Sequence, residues 1–256
     1  MGKAHRLTER RQAILAALEQ SGYLSVAALS QRFNVSEVTI RGDLQALSEQ
    51  GMVQRVRGGA MATTTLPELS YDVRKQLNAA QKARIGEKAA SLIHDGDTIA
   101  IDASTTAQAI TAHLERFSEL TVITNSLKVA MALLAYPQIQ VLMPGVSLRR
   151  ESISLVGPIK ESAIADIHIR IGFFGARGFT IEEGMTDVNL DEVKTKRELV
   201  ERCRHVVGVF DAQKWGQVAT ATFATLDQID TIISDARAPV EMVEAARAHD
   251  IEVILV

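Results

Sequence analysis

The chain has 256 residues, of which 46% are hydrophobic and 23% are charged, and its formal net charge is −3. This composition predicts a soluble globular protein with room for one small and one larger domain. No apolar run reaches the ~18 residues of a membrane span, the first ten residues lack the apolar segment of a secretion signal, and the lone Cys203 excludes an intramolecular disulfide. We therefore expect a cytoplasmic protein that makes no membrane contact.

The first sixty residues have the pattern of a winged helix-turn-helix. Amphipathic periodicity predicts three short helices, in residues 10–18, 25–35 and 36–47, and the Gly- and Arg-containing residues 51–59 predict a basic β-hairpin wing. Ser36 is placed to cap the third helix, and Ile40, Leu44 and Leu47 recur at the spacing of one buried stripe. The opposite face is then presented to solvent, in the geometry that enters a DNA major groove.

That exposed face and the wing supply the candidate DNA contacts. Arg41 is the strongest candidate, for guanine or for phosphate, whereas Glu37 suits either a cytosine amino group or the helix dipole. Residues 1–60 hold eight Lys and Arg against five Asp and Glu, a net +3 that leaves −6 for the remainder and is typical of a nucleic-acid module. A protein-binding winged helix is the alternative. The predicted contacts are Ser36, Glu37, Val38, Thr39, Arg41, Gln45, Arg55 and Arg57.

This segment resembles the signature helix of the DeoR family of bacterial transcriptional regulators. The resemblance rests on Ser36, Thr39, Ile40, Arg41, Asp43, Leu44, Leu47 and Gly51, followed by the run Arg57-Gly58-Gly59-Ala60. Family members usually carry Arg or Lys where this chain has Gly42, so we expect one phosphate contact fewer, and the operator affinity or base preference of relatives cannot be carried over to this chain.

We expect the helix-turn-helix domain over residues 1–60, a linker over 61–75 and a larger domain over 76–256. The linker is indicated by glycine, threonine and proline. A helix predicted over residues 70–94 carries a basic stripe, interpreted as a solvated face, of Arg74, Lys75, Lys82, Arg84 and Lys88.

The larger domain is predicted to be α/β with a mostly parallel sheet. Short β-branched strands alternate with helical periods, a pattern typical of a sheet covered on both faces. Ligands of such sheets bind beyond the carboxyl ends of the strands. The predicted strands are residues 98–102, 120–124, 139–143, 169–174, 206–210, 231–234 and 252–256.

Polar residues follow the first two of these strands. Ser104, Thr105 and Thr106 suit a phosphate, although ordinary helix capping explains such hydroxyls too. Asp102 and Asn125 suit sugar hydroxyls because they are short hydrogen-bonding groups at the same sheet edge.

This half resembles the sensor domain of the same family, whose fold is similar to that of ribose-5-phosphate isomerase. The resemblance implies a phosphorylated sugar or polyol effector, with Lys196 and Lys214 near the anion, Asp187 and Glu192 near hydroxyls, and Arg149 in the site. Glu192 and Lys196 are also spaced as a plain i, i+4 surface pair. Pro144-Gly145-Val146 replaces the usual Gly-Gly pair, so the effector cannot be taken from a close relative.

The sequence thus predicts a ligand-responsive repressor of a carbohydrate uptake or catabolism operon, binding double-stranded operator DNA as a homo-oligomer, a dimer or tetramer. We expect no enzymatic activity, no cofactor and no metal, because no nucleophilic, metal-binding or nucleotide-binding pattern is present. The alternatives are a sugar-phosphate isomerase-like enzyme fused to a DNA-binding module and a ligand-independent architectural DNA binder.

Overall fold

The computed structural model describes residues 10–11, 13–15, 17–18, 23–49, 52–61, 71–159, 164 and 166–256. Its contacts divide the chain into two compact units, Met1–Val73 and Arg74–Val256. Each unit folds around its own hydrophobic core.

The first unit contains the predicted helices. The described residues between 10 and 18 are helical, and α1 (Val26–Phe33) and α2 (Glu37–Glu49) follow. Ser36 caps α2 as predicted, because its Oγ accepts a hydrogen bond from the Thr39 amide at 3.2 Å. The predicted stripe is confirmed, since its three residues are at most 1% exposed and pack with Ile14, Leu18 and Leu29.

The wing is also present. β2 (Gln54–Val56) pairs with β3 (Gly59–Met61) in an antiparallel hairpin, and β1 (Tyr23–Ser25) pairs with the other edge of β3. Gly58 in the turn has φ +86°, a conformation that favours glycine.

Two helices lie at the start of the second unit, where the sequence predicted one, and the first of them begins before the boundary. α3 (Tyr71–Gln76) and α4 (Ala79–Ala90) are separated at Asn78, whose φ of 52° ends the helical path. The interpretation of the basic stripe as fully solvated was wrong for Lys82, which is only 7% exposed. The break redirects α4, so that Lys82 faces the interior of the unit.

A seven-stranded sheet forms the centre of this unit in the described part of the chain. Its strands are β4 (Thr98–Ile101), β5 (Leu120–Ile123), β6 (Ile139–Leu142), β9 (Ile171–Phe174), β12 (Val206–Val209), β14 (Thr231–Ser234) and β15 (Glu252–Leu255). All neighbouring strands are parallel, in the order β15-β14-β12-β9-β4-β5-β6, so the predicted α/β fold is confirmed. Alternate side chains enter hydrophobic clusters on the two faces, as expected for a sheet covered on both sides.

The helices that cover the sheet are α5 (Thr105–Gln108), α6 (Leu127–Leu133), α7 (Leu190–Val200) and α8 (Val240–Arg247), with 3₁₀ turns at Ala109–His113, Ala212–Lys214 and Leu226–Gln228. None of the helices in the described ranges is long and apolar enough to span a membrane.

Two smaller antiparallel sheets were not predicted. The hairpin of β7 (Ser147–Arg149) and β8 (Ser154–Val156) follows the edge strand β6. β10 (Gly178–Thr180), β11 (Gly184–Asp187) and β13 (Ala221–Ala224) form the other sheet. These additions bring polar side chains from distant parts of the sequence to one edge of the central sheet.

Candidate nucleic-acid interface and effector site

The predicted DNA-contact face of α2 is accessible. Glu37, Val38, Arg41 and Gln45 are exposed, Val38 to 75%, whereas Thr39 is half-buried. These side chains point away from the buried stripe, so the helix presents an accessible face that is polar apart from Val38.

Intramolecular pairs hold several of these side chains. Arg41 Nη2 lies 2.6 Å from Glu37 Oε2, Gln45 Nε2 donates to Glu49 Oε1 at 2.8 Å, and Arg55 donates to Gln45 Oε1. Exposed pairs of this kind contribute only ~0–1 kcal/mol, so DNA can replace them at little cost. The wing arginine thereby orients a predicted base-contacting glutamine.

Arg57 is exposed in the turn of the wing. It is therefore accessible for the phosphate or minor-groove contact that its position in a basic wing suggests. Together with the α2 face it completes the set of predicted contacts, which stay predictions in the absence of DNA.

A buried carboxylate anchors the recognition helix, and sequence reasoning missed this role. Asp43 is 2% exposed, with Arg10 Nε 2.6 Å from Oδ2 and Arg11 Nε 3.0 Å from Oδ1. Two of the basic residues counted toward DNA binding thus fix α2 to the first helical segment. The signal was available, because Asp43 falls on the buried stripe between Ile40 and Leu44.

The second site lies at the carboxyl ends of the central strands. Asp102, which follows β4, is fully buried, and its carboxylate accepts hydrogen bonds from the Ser104 amide at 3.0 Å and the Gly175 amide at 3.1 Å. Lys196 Nζ lies 2.9 Å from Asp102 Oδ2. This carboxylate therefore organises the loops after β4 and β9 from within.

Lys196 is the centre of a buried ion-pair cluster. Its Nζ also donates hydrogen bonds to Asp187 Oδ2 at 2.7 Å and to the Gly175 carbonyl at 2.8 Å, beside the ion pair with Asp102. Burial alone would lower the pKa of Lys196, but the carboxylates of Asp102, Asp187 and Glu192 outweigh burial and raise it. The exposed i, i+4 pair considered for Glu192 and Lys196 is wrong, because both side chains are buried.

Glu192 and Arg149 belong to an adjacent buried network. Arg149 Nη1 lies 3.3 Å from Glu192 Oε1, which accepts a hydrogen bond from Ser154 Oγ at 3.0 Å. Arg149 also donates to Ser152 Oγ at 3.0 Å. The hairpin β7–β8 is thereby tied to α7, the helix that carries Lys196.

The residues Ser104, Thr105 and Thr106 after β4, called the hydroxyl loop below, have different roles. Ser104 Oγ accepts a hydrogen bond from the Ala107 amide at 3.1 Å, which is the capping alternative raised for this residue. Thr105 Oγ1 lies 3.5 Å from the Arg74 carbonyl oxygen, and Thr105 and Thr106 are 8% and 7% exposed. The two threonines lie in the loop but do not cap helix α5, whose cap is Ser104.

A cluster of cations stands beside this loop. Burial is the largest cause that lowers the pKa of Lys82, to about 8; Asp211 opposes this, and the positive charges of Lys214, Arg74 and Arg177 add to it. Lys214, Arg74 and Arg177 therefore each lie close enough to act on Lys82, as does the carboxylate of Asp211. Sequence reasoning named Lys214 and missed Lys82, since only the break at Asn78 turns Lys82 inward.

Asn125 has an unused acceptor at the same sheet edge. Its Nδ2 donates to the Leu155 carbonyl at 3.1 Å, but its buried Oδ1 has no hydrogen-bond partner among the residues that the structure describes. An unsatisfied buried acceptor costs about 1–3 kcal/mol, which a ligand hydroxyl would recover.

Comparisons with known proteins cover both units. Residues 10–65 match the DeoR-like helix-turn-helix domain, and residues 77–236 match the DeoR C-terminal sensor domain. The HTH-type transcriptional regulator GolR of Listeria innocua is 38% identical over 89% of this chain and 90% of its own length. The glycerol-3-phosphate regulon repressor of Escherichia coli strain K12 is 31% identical over 97% of this chain and 98% of its own. Ribose 5-phosphate isomerase A from Neisseria gonorrhoeae aligns with a TM-score of 0.39 and 15% identity over 52% of each chain.

Proposed function

The chain belongs to the DeoR family of transcriptional regulators. We propose that it is a cytoplasmic repressor of a carbohydrate uptake or catabolism operon, and that it leaves its operator when a phosphorylated sugar or polyol binds. The Escherichia coli relative named for glycerol 3-phosphate supports this class of effector. The relatives carry names of regulators, not of enzymes.

The cation cluster carries the effector proposal. The charges of Lys214, Arg74 and Arg177 all act on the buried ammonium group of Lys82, and Asp211 is the carboxylate that opposes them there. Converging cations are costly in a low-dielectric environment, and a phosphate with a charge of about −1.5 to −2 offsets that cost. Free sugars lack this charge, so the cluster selects the phosphorylated form.

The sugar end of the effector is assigned to the neighbouring loops. Asn125 Oδ1 accepts from a hydroxyl, and the threonines Thr105 and Thr106 donate to the anion. The loops are held in place by charged side chains that each have a partner of opposite charge: Asp102, Asp187, Glu192, Lys196 and Arg149. Ser104 acts through its cap.

Operator binding is assigned to α2 and the wing. A module of this size makes too few base contacts for a unique genomic site, so we expect a homo-oligomer on a palindromic operator. The effector changes operator affinity only if it binds the DNA-competent and incompetent arrangements with different affinity.

The test is a titration of the full chain on operator DNA selected from genomic fragments. Glycerol 3-phosphate and a panel of sugar phosphates are compared with the matching free polyols and sugars by fluorescence anisotropy. We expect one phosphorylated compound to weaken operator binding at least about tenfold, or 1.4 kcal/mol, and its free form to have no effect. Lys214→Met should abolish the response, whereas Lys194→Met, an exposed lysine of α7, should keep it.

Saturation of the sensor by a phosphorylated compound without any change in operator affinity would contradict the proposal. It would favour the ligand-independent architectural binder instead.

A further inference from the structure

The backbone carbonyl of Arg74 receives side-chain donors from the effector site. Lys82 Nζ donates to this oxygen, and Thr105 Oγ1 lies 3.5 Å from it. The Arg74 guanidinium in turn donates to the Glu151 carbonyl at 3.3 Å, in the turn of the β7–β8 hairpin. Arg74 thus joins α3, the hydroxyl loop and the hairpin.

These donors are the ones that a phosphate would use. Lys82 belongs to the cation cluster, and Thr105 to the hydroxyl loop. A phosphate oxygen carries formal negative charge, so it attracts the ammonium group of Lys82 by an ion pair that a neutral carbonyl oxygen does not offer. An anion in the cluster therefore competes with the Arg74 carbonyl for the same donors.

The helix that contains this carbonyl has little stability of its own. α3 has six residues, and isolated helices shorter than ~12 residues are marginal in water. Its residues span the boundary between the two units, which falls between Val73 and Arg74. A change in its attachment to the sensor therefore acts on the segment through which the two units are joined.

We propose that effector binding is transmitted by donor exchange at Arg74: the anion takes over Lys82 and Thr105, the Arg74 carbonyl loses both donors, and α3 is released from the sensor core. This mechanism rests on the proposed effector site and states how binding at that site is transmitted to α3. The ligand-free protein is the tied state, and the anion-bound protein is the released state.

Amide hydrogen–deuterium exchange of the full chain tests whether the anion takes the two donors away from the Arg74 carbonyl. Peptides that cover residues 71–78 are followed without ligand, with inorganic phosphate and with glycerol 3-phosphate, while calorimetry measures binding in the same samples. In the wild type we expect bound anion to speed exchange in this segment about tenfold or more, the equivalent of one charge-assisted hydrogen bond.

Two substitutions separate this transfer of donors, called the relay below, from anion binding itself. Lys82→Met removes the main donor, so the ligand-free variant should already exchange at the anion-bound rate. Lys88→Met, on the same helix α4, should leave amide exchange in residues 71–78 unchanged. Thr105→Val should give a smaller increase, whereas Thr111→Val should give none, because Thr111 donates to the Gln108 carbonyl instead.

The outcomes are distinguishable. Measured anion binding without faster exchange in residues 71–78, or slow exchange in ligand-free Lys82→Met, overturns the relay and leaves the effector site standing. No binding of any phosphorylated compound overturns the effector site and the relay together.

Discussion

Lys196→Met should destabilise the sensor unit strongly, because this lysine is a structural cation. The substitution keeps the length of the side chain but leaves Asp102 and Asp187, at 0% and 5% exposure, without their ammonium partner. Breaking a buried ion pair on one side costs about 3–5 kcal/mol. With a urea slope of about 2–3 kcal/mol per M, the midpoint should fall by about 1–2.5 M.

Trp215 makes this unfolding easy to follow. It is the chain's single tryptophan, is 4% exposed and lies in the second unit, so its fluorescence reports on the sensor. Lys194→Met is the matched control, because Lys194 is 73% exposed and its Nζ lies 3.8 Å from Asp191. Equal urea midpoints for Lys196→Met and the wild type would refute the reasoning.

The pH dependence of the same variant checks the electrostatic cause. Burial would raise the pKa of Asp187, but Lys196 outweighs it and lowers that pKa. The ion pair therefore stabilises the folded state above the unfolded pKa of about 4 and loses this effect as pH falls through the lowered folded value. The difference between variant and wild type should narrow in acid.

Three further predictions concern other residues. Burial lowers the pKa of Lys82 to about 8, so calorimetric affinity for a sugar phosphate should fall as pH rises above that value, and this fall should vanish in Lys82→Met. No atom lies within 4 Å of a Cβ built at Gly42; Gly42→Arg should therefore be accommodated and steepen the salt dependence of operator binding by about 0.9 in log–log slope. Asp43→Asn removes the charge that holds Arg10 and Arg11, and should speed amide exchange in α2 about tenfold or more. Unchanged amide exchange would contradict the role of Asp43 in fixing α2 to the first helical segment.

Much of the fold followed from local patterns. The seven strands were predicted because β-branched runs of four to six residues stand between helical periods, and buried parallel strands have little other sequence signature. The family resemblance, drawn mainly from the run around Arg41 and Asp43, is confirmed by the matches to both domains. The exposed face of α2 followed from the 3.6-residue period alone.

The electrostatic organisation of the effector site did not follow from sequence. Lys82 and Lys196 both lie on helices with several charged neighbours, where a solvated position is the ordinary expectation. Their burial is decided by long-range packing: the left-handed residue Asn78 redirects α4, and the loops after β4 and β9 close over α7. Periodicity within one helix carries no information about such partners.

The most direct test of the proposed effector site is a crystal structure of the full chain with the phosphorylated compound that releases it from operator DNA. We expect the phosphate within hydrogen-bond distance of Lys82 Nζ and Thr105 Oγ1, a sugar hydroxyl on Asn125 Oδ1, and Lys196 still bound to Asp102 and Asp187. A phosphate bound by Lys196, or bound away from the carboxyl ends of β4 and β5, would contradict it.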